Sequence, residues 1–492
     1  MAMGVKESVE RLAAERLRQS PAVQAAIASI RAEVELAQAA ITGVRGPAAG
    51  RAVEYDRLLA EAGEVRGRGL YYPYLGSGIG NGPLVELADG SVKLDMISGI
   101  GVNFFGHSDA DLIATAVEGA LGDTVMQGNL QMNAEAVRFA QTLIGEAAKV
   151  SGLRHAFLCN SGAMANESAL KVCFQKHAPA SRVIAFEDCF MGRTWTLSQL
   201  GDSAAGRVGL PLNTLVDYMP FYDEAEARRM SAGDQSGPSR FIDASVRRLE
   251  RFISRYPAQH ACFVFELIQG EGGFRLAPRE FHEALMQVCK AHDISVWTDE
   301  VQTFGRTDRM FCFDALGLGD FVDVCTVGKM TQVCAALFRA GYNPKPGLLS
   351  GTFLGSTVGL RVGRRIIERL RDGAYYGENG SNARHFQKFA DHVRALAAKH
   401  ADWFPASPDV VDLVSGRGGM MRFTPFGGEK EPVVKLCRTL YDEGVITFYC
   451  GHGPFHVRML PPLGVLREEH WDSVFEIIER AMAKQTGGST IK

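Results

Sequence analysis

The sequence lacks a C-x-x-C pair. Its ten cysteines are scattered, and several, such as Cys159, Cys262 and Cys325, sit inside apolar runs. A structural zinc site needs clustered ligands, so no metal is expected; free buried thiols in a reducing compartment are. An excess of charge of either sign is also missing. Lys plus Arg number 53 against 56 Asp plus Glu, a formal net charge of -3. That balance excludes a strongly basic nucleic-acid binder and an acidic-tail protein. No run reaches about 18 uncharged apolar residues, so no membrane-crossing helix is expected. The opening MAMGVKESVERLAAERLRQ has no apolar core of the kind a secretory signal needs, which leaves a cytoplasmic protein as the default. Internal repeats and low-complexity tracts are absent too.

What is present is an ordinary globular composition over 492 residues, 46% hydrophobic and 22% charged. A chain of this size builds a large core without disulfides. Residues 5–42 carry apolar residues at helical spacing (Val9, Leu12, Ala13, Leu17). A Gly/Pro/Ala break at 43–52 follows, then a second short helix at 53–63. Residues 1–68 thus read as a helical extension. From about 70 the chain turns rich in glycine and aromatics, and beyond that short apolar runs alternate with helical patterns. HAFLC (155–159), RVIAFE (182–187), ACFVFEL (261–267), ISVWTD (294–299) and VDVCTV (322–327) read as strands. Helices are expected near 162–176, 243–255 and 278–291. This alternation predicts an α/β fold with a mostly parallel sheet and crossover helices. From 358 the pattern shifts to helices at 358–371 and 380–400, strand-like GMMRFTPF (418–426) and FHVRML (455–460), and a last helix near 467–484. The expected division is 1–68 extension, 69–105 the first part of a smaller α+β domain, 106–357 the large domain, and 358–492 the rest of the smaller one.

In an open parallel sheet, ligands bind beyond the carboxyl ends of the strands. After HAFLC, Ser161, Gly162 and Ala163 form a small-residue turn opening a helix, a natural phosphate seat, although Ser-Gly is also an ordinary helix cap. After RVIAFE, Phe190 is an aromatic able to stack on a planar ring, and Arg193 a guanidinium able to hold a carboxylate. After ACFVF, Glu266 and Glu271 flank a flexible turn. Asp299 ends a buried-looking strand and needs a cationic partner, for which a protonated pyridine nitrogen serves; Gln302 can donate to a ring oxygen. Lys329 ends another apolar strand, where a desolvated amine suits a Schiff base. Phosphate turn, aromatic, Asp and Lys occur in this order, and together they are the components that pyridoxal 5'-phosphate needs.

With these residues in place, the sequence resembles the class III, fold-type I pyridoxal-phosphate-dependent aminotransferases over roughly residues 69–485. The motifs are NSGAMANE (160–167), FMGRT (190–194), ELIQGEGG (266–273), WTDEVQTFGRT (297–307), GK (328–329), GTF (351–353) and RMLPPL (458–463). The resemblance implies catalytic roles for Lys329, the Schiff-base lysine, and for Asp299, the partner of the pyridine nitrogen. It implies cofactor binding by Ser161, Gly162, Ala163, Phe190, Gln302 and Thr352. Thr352 matches a phosphate-binding threonine that reaches across from a second subunit, which implies a homodimer with shared active sites. Arg193 and Arg458 match arginines that hold substrate carboxylates. Glu271 matches a glutamate that masks the C-terminal arginine while an ω-amino substrate reacts and releases it for a dicarboxylate. The implied reaction moves an amino group from an ω-amino or diamino acid to 2-oxoglutarate. An amine–pyruvate transaminase or an aminomutase is the alternative.

The run GKMTQVCAALF (328–338) is similar to that of L-lysine 6-aminotransferases, as is GTFLGSTVGLRVGRRIIE (351–368). Departures from the family pattern are Met164 for an acidic residue, Leu267 for proline, Ser356 for asparagine, and Met191 for histidine or tryptophan. The stretch VMQGNLQMN (125–133) does not match the lysine subgroup, and the first 68 residues are longer than usual.

Overall fold

In the computed structural model of this chain, residues 11–123, 126–231 and 236–487 are described. Seven strands form the central sheet in the order His155–Cys159, Cys334–Phe338, Val324–Val327, Ser295–Glu300, His260–Phe265, Arg182–Phe186 and Leu215–Met219. Cys334–Phe338 runs antiparallel to both neighbours, and the remaining pairings are parallel. The inner strands are largely apolar because both faces of the sheet are covered there, while the edge strand Leu215–Met219 is mostly part-exposed. Alternate residues point to opposite sides. Ile184, Phe186, Phe263 and Phe265 join one core with Leu249 and Phe281, from helices Gly237–Arg255 and Arg279–Ala291. Val183, Ala185, Cys262 and Val264 join a second core with Ala169 and Leu170, from helix Gly162–Lys176. The large sheet is therefore sandwiched between helical layers, and the α/β class with a mostly parallel sheet holds.

Two four-stranded sheets lie outside this unit, besides two two-stranded ribbons. One pairs Gly76–Asn81, Leu84–Leu87 and Val92–Asp95 with the late strand Val445–Ile446, so chain segments 350 residues apart share a sheet. The other is antiparallel, in the order Val414–Arg417, Met420–Phe423, His456–Met459, Phe448–Cys450. Helices Ser381–Lys399 and His470–Thr486 close over it around Trp471, Phe389 and Phe475.

Two expectations need correction. The helix read over 5–42 is two helices among the described residues, Ala13–Arg18 and Pro21–Ala39, parted where Ser20-Pro21 starts a new one. Proline fits the first turn of a helix but not its interior; residues 5–10 lie outside the described residues. CAALF, read only as the tail of the lysine motif, is a full strand buried between its neighbours. Ser356, where the family has asparagine, caps helix Thr357–Asp372 by accepting from Gly359 N at 3.0 Å. Either residue type performs that task. Within 125–133, Val125 lies outside the described residues. All ten cysteines are buried and unpaired.

Candidate active site

Ser161, Phe190, Asp299, Gln302 and Lys329 follow the carboxyl ends of large-sheet strands, whereas Arg458 comes from the separate antiparallel sheet and Thr352 stands apart. Ser161 follows its strand directly and caps helix Gly162–Lys176, its Oγ accepting from Met164 N at 3.2 Å. A Cβ at Gly162 would lie 2.9 Å from Val301 Cγ1, and one at Gly192 2.9 Å from Ala163 Cβ. Only glycine lets these loops close on one another, and Gly192 adopts φ +125° to do so. Their closure sets the Phe190 loop against the 161–163 turn. The Arg193 guanidinium carbon lies 5.3 Å from the centre of the Phe190 ring, and its side chain is exposed.

Asp299 is buried, 8% exposed. Its Oδ1 accepts from Val301 N at 2.9 Å and its Oδ2 from Asn166 Nδ2 at 2.8 Å. Asn166 donates also to Met191 O at 2.8 Å, so one amide ties the Asp299 carboxylate to the Phe190 loop. Burial raises the Asp299 carboxyl, while the Val301 N–H, Asn166 and the Lys329 charge hold it down. Lys329 sits just past the Val324–Val327 strand with φ +52°, a left-handed conformation that costs a non-glycine residue about 1–3 kcal/mol and is found mainly at functional sites. Burial lowers its amine below the usual lysine range. Asp299 and Glu271 partly restore it, and Arg306 and Arg458 push it further down. A lysine nucleophile at neutral pH needs that depression.

Gln302 Oε1 is buried and has no hydrogen-bond partner, and a Cβ at Gly270 would lie 2.5 Å from it. The 270–271 turn therefore rests on Gln302. From that turn Glu271 Oε1 accepts from Arg458 Nη2 at 2.8 Å. Arg458 is fully buried and Glu271 about one-third exposed. Thr352 is exposed, and its carbonyl lies against Gly128; it stays apart from this cluster within one chain.

Three residues that sequence reasoning left out of the site belong to it. Asn166 holds Asp299, and its place in NSGAMANE was the only signal. Val301 stands between Gly162 and Gly328, whose added Cβ atoms would come within 2.9 and 3.2 Å of Val301 Cγ1. Glu266, read only as one of two acids flanking a turn, bridges two loops. Its Oε2 accepts from Phe190 N at 2.9 Å and its Oε1 from Gly270 N at 3.2 Å. Burial and the neighbouring Asp299 push this carboxyl up to about 8.

A fold of this kind, with a half-buried lysine and a buried carboxylate near a helix-capping turn at the sheet's carboxyl edge, is that of a fold-type I transferase. The class-III aminotransferase family model matches residues 78–482, and the chain belongs to that family. The acetylornithine aminotransferase of Listeria monocytogenes serotype 4b is 27% identical over 421 residues, covering 83% of this chain and 95% of that protein. Lysine aminotransferase from M. tuberculosis superposes with a TM-score of 0.73 at 24% identity, over 87% of this chain and 99% of the other. Ornithine aminotransferase from Toxoplasma gondii ME49 does so with a TM-score of 0.70 at 20% identity, over 88% and 96%. The chain is a pyridoxal-phosphate-dependent aminotransferase. Its residues fit that cofactor: the 161–163 turn is glycine-lined at a helix start, and the Asp299 carboxylate lies buried beside a lysine.

Proposed function

We propose that this aminotransferase takes an amino group from an ω-amino or diamino acid of lysine type and passes it to 2-oxoglutarate. The observation that carries the reading is the ion pair between Glu271 and the fully buried Arg458. Paired, Arg458 is masked and the site suits a donor bearing an amine at its far end. Unpaired, Arg458 receives a carboxylate, as a dicarboxylic acceptor requires. The names of the relatives, acetylornithine, lysine and ornithine aminotransferase, all denote diamino acids or their derivatives and support the same reading.

Ser161, Gly162 and Ala163 would hold the cofactor phosphate. Phe190 would cover its ring, Asp299 would face the pyridine nitrogen, Gln302 the ring oxygen, and Lys329 the reactive carbon. When bound, the cofactor supplies the carbonyl that takes up the amine and the ring that accepts electrons from the substrate carbon. The chain supplies the rest. Asp299 Oδ keeps a negative charge buried where a positive one is to be held, with Asn166 and Val301 fixing its orientation. The Lys329 Nζ, its basicity lowered by burial, would take the proton from the substrate carbon as a base and deliver it as an acid to the carbon two bonds away, across the transferred nitrogen. Arg193 and Arg458 fix the carboxylates, and closely packed loops keep water out.

The active unit is a homodimer in which Thr352 completes the phosphate site of the second subunit. Phe353, beside Thr352 in the chain, is 54% exposed and Leu130 95% exposed, large apolar side chains whose burial a subunit partner would favour. Ten unpaired cysteines fit a reducing, cytoplasmic compartment.

The test is a half-reaction absorbance assay on the purified protein, amines being added singly without acceptor. Loss of the cofactor–lysine band with both L-lysine and L-glutamate is the expected result. A response to L-alanine or simple amines but not to L-glutamate refutes it in favour of an amine–pyruvate transaminase.

A further inference from the structure

The antiparallel sheet that carries Arg458 places a second arginine directly beside it. Arg422 and Arg458 are register partners on adjacent strands, so both side chains leave the same face. The row across the sheet is Ser415, Arg422, Arg458, Phe448. Both neighbours at its centre meet the turn that carries Glu271: Ser415 Oγ donates to Phe274 O at 3.5 Å, and Arg458 Nη2 to Glu271 Oε1 at 2.8 Å. Arg422 therefore lies under the same turn.

Its own partners are neutral. Arg422 Nη1 donates to Thr424 Oγ1 at 2.8 Å, to His456 Nδ1 at 3.2 Å and to Asp412 O at 3.5 Å. Burial, with the charges of Arg422 and Arg275, holds His456 well below its usual range, so it accepts and adds no charge. The Nε atoms of both Arg422 and Arg458 are buried without a partner. Arg275, the third cation nearby, is paired to Asp188 at 3.1 Å. Burial lowers the Arg422 guanidinium to about 10, Cys450 and Asp412 partly offset that without a direct ion pair, and Glu271 is the carboxylate paired to its register neighbour Arg458.

Like charges directly opposite on a sheet destabilise it, and a buried charge stripped of its partner is costly. Turning Glu271 away leaves two adjacent guanidiniums unbalanced unless another carboxylate arrives. We propose that Arg422 is a positioning residue that makes the release of Arg458 conditional on a second substrate carboxylate, and so selects a dicarboxylic 2-oxo acid over a monocarboxylic one. This rests on the acceptor reading above and adds to it the residue that enforces the choice.

The experiment compares kcat/KM for 2-oxoglutarate with kcat/KM for pyruvate in the wild type, Arg422→Met, Arg422→Gln and Arg422→Lys, each as holoenzyme. Removing the charge is expected to lower the 2-oxoglutarate-to-pyruvate ratio about tenfold, a scale set by an unscreened like charge nearby. Lysine, which keeps the charge without the fork, is expected to stay within about threefold of wild type. Calorimetric binding of glutarate, an unreactive dicarboxylate, follows the same order. The glutamine variant keeps a polar group for Thr424 and His456 should the methionine variant fold poorly. An unchanged ratio in both uncharged variants overturns the inference alone. So does a lysine variant that loses as much as methionine, which makes the role structural. A wild type that uses pyruvate and not 2-oxoglutarate overturns the acceptor reading and the inference together.

Discussion

The effect of replacing Glu266 with glutamine on this protein's stability should change sign across one pH window. Glu266 is 8% exposed, and its carboxyl is pushed up to about 8 from an ordinary 4.5, first by burial and then by Asp299. Between those values the folded chain holds a proton that the unfolded chain has released. Stability therefore falls as pH rises through the window. At about 1.36 kcal/mol per pH unit, the full effect is on the order of 5 kcal/mol above the upper value and nothing below the lower one. Glutamine has the same shape and no charge at any pH. It accepts with one oxygen only, so either Phe190 N or Gly270 N loses its acceptor, at about 1–3 kcal/mol. The variant should be the less stable protein near the acid end and the more stable one near the basic end. Glu300, pushed up to about 7 by burial, adds a slope common to both proteins and cancels in the comparison. The assay is the urea unfolding midpoint of the two cofactor-free proteins, followed from about pH 5 to about pH 9 across the Glu266 window. Curves that run parallel over that range refute the reasoning.

Three other outcomes follow from the same structure. Lys329→Ala should abolish turnover while leaving a folded protein that still takes up cofactor; wild-type rates in the variant would remove Lys329 from the mechanism. Glu271→Gln deletes the charged partner of a fully buried guanidinium; a charge-assisted hydrogen bond is worth about 1.5–3 kcal/mol, so preference for glutamate over an ω-amino donor in the half-reaction should rise about tenfold or more. Trp471→Ala empties a site that is 0% exposed and leaves His385 Nδ1, 3.2 Å from the indole nitrogen, without its donor. It should cost about 3–5 kcal/mol, read as a fall in thermal midpoint with no change in KM.

Five of the seven strands of the large sheet were legible because burial makes them largely apolar runs, and the chemistry follows them in the chain; the edge strand Leu215–Met219, mostly part-exposed and carrying Asp217, was not. Asp299, Gln302 and Lys329 could be picked out for that reason. Cys334–Phe338 escaped as a strand because it is as apolar as its neighbours but begins five residues after the lysine, where a family motif drew the eye. Asn166 and Glu266 were not legible as site residues. Each acts on a partner that only the fold supplies, Asn166 on Asp299 133 residues away and Glu266 on Phe190 76 residues away. Arg422 was invisible for a similar reason, since a cross-strand register is a tertiary fact. Thr352 shows the opposite case: the motif stands out in sequence, yet the residue meets none of the cluster within its own chain.

Glu271 belongs to the turn that leaves the seven-stranded sheet, and Arg458 to the separate antiparallel sheet. Their bond is thus also a clasp across the seam between two sheets, reinforced by Gly451 N donating to Glu271 O at 2.9 Å. On the proposed exchange, a carboxylate that takes the place of the Glu271 side chain would swap a chain-borne clasp for a diffusible one. The backbone bond does not depend on that side chain, so the seam would loosen without parting. Under that proposal, turnover and the mechanical cohesion of the two sheets share one side chain.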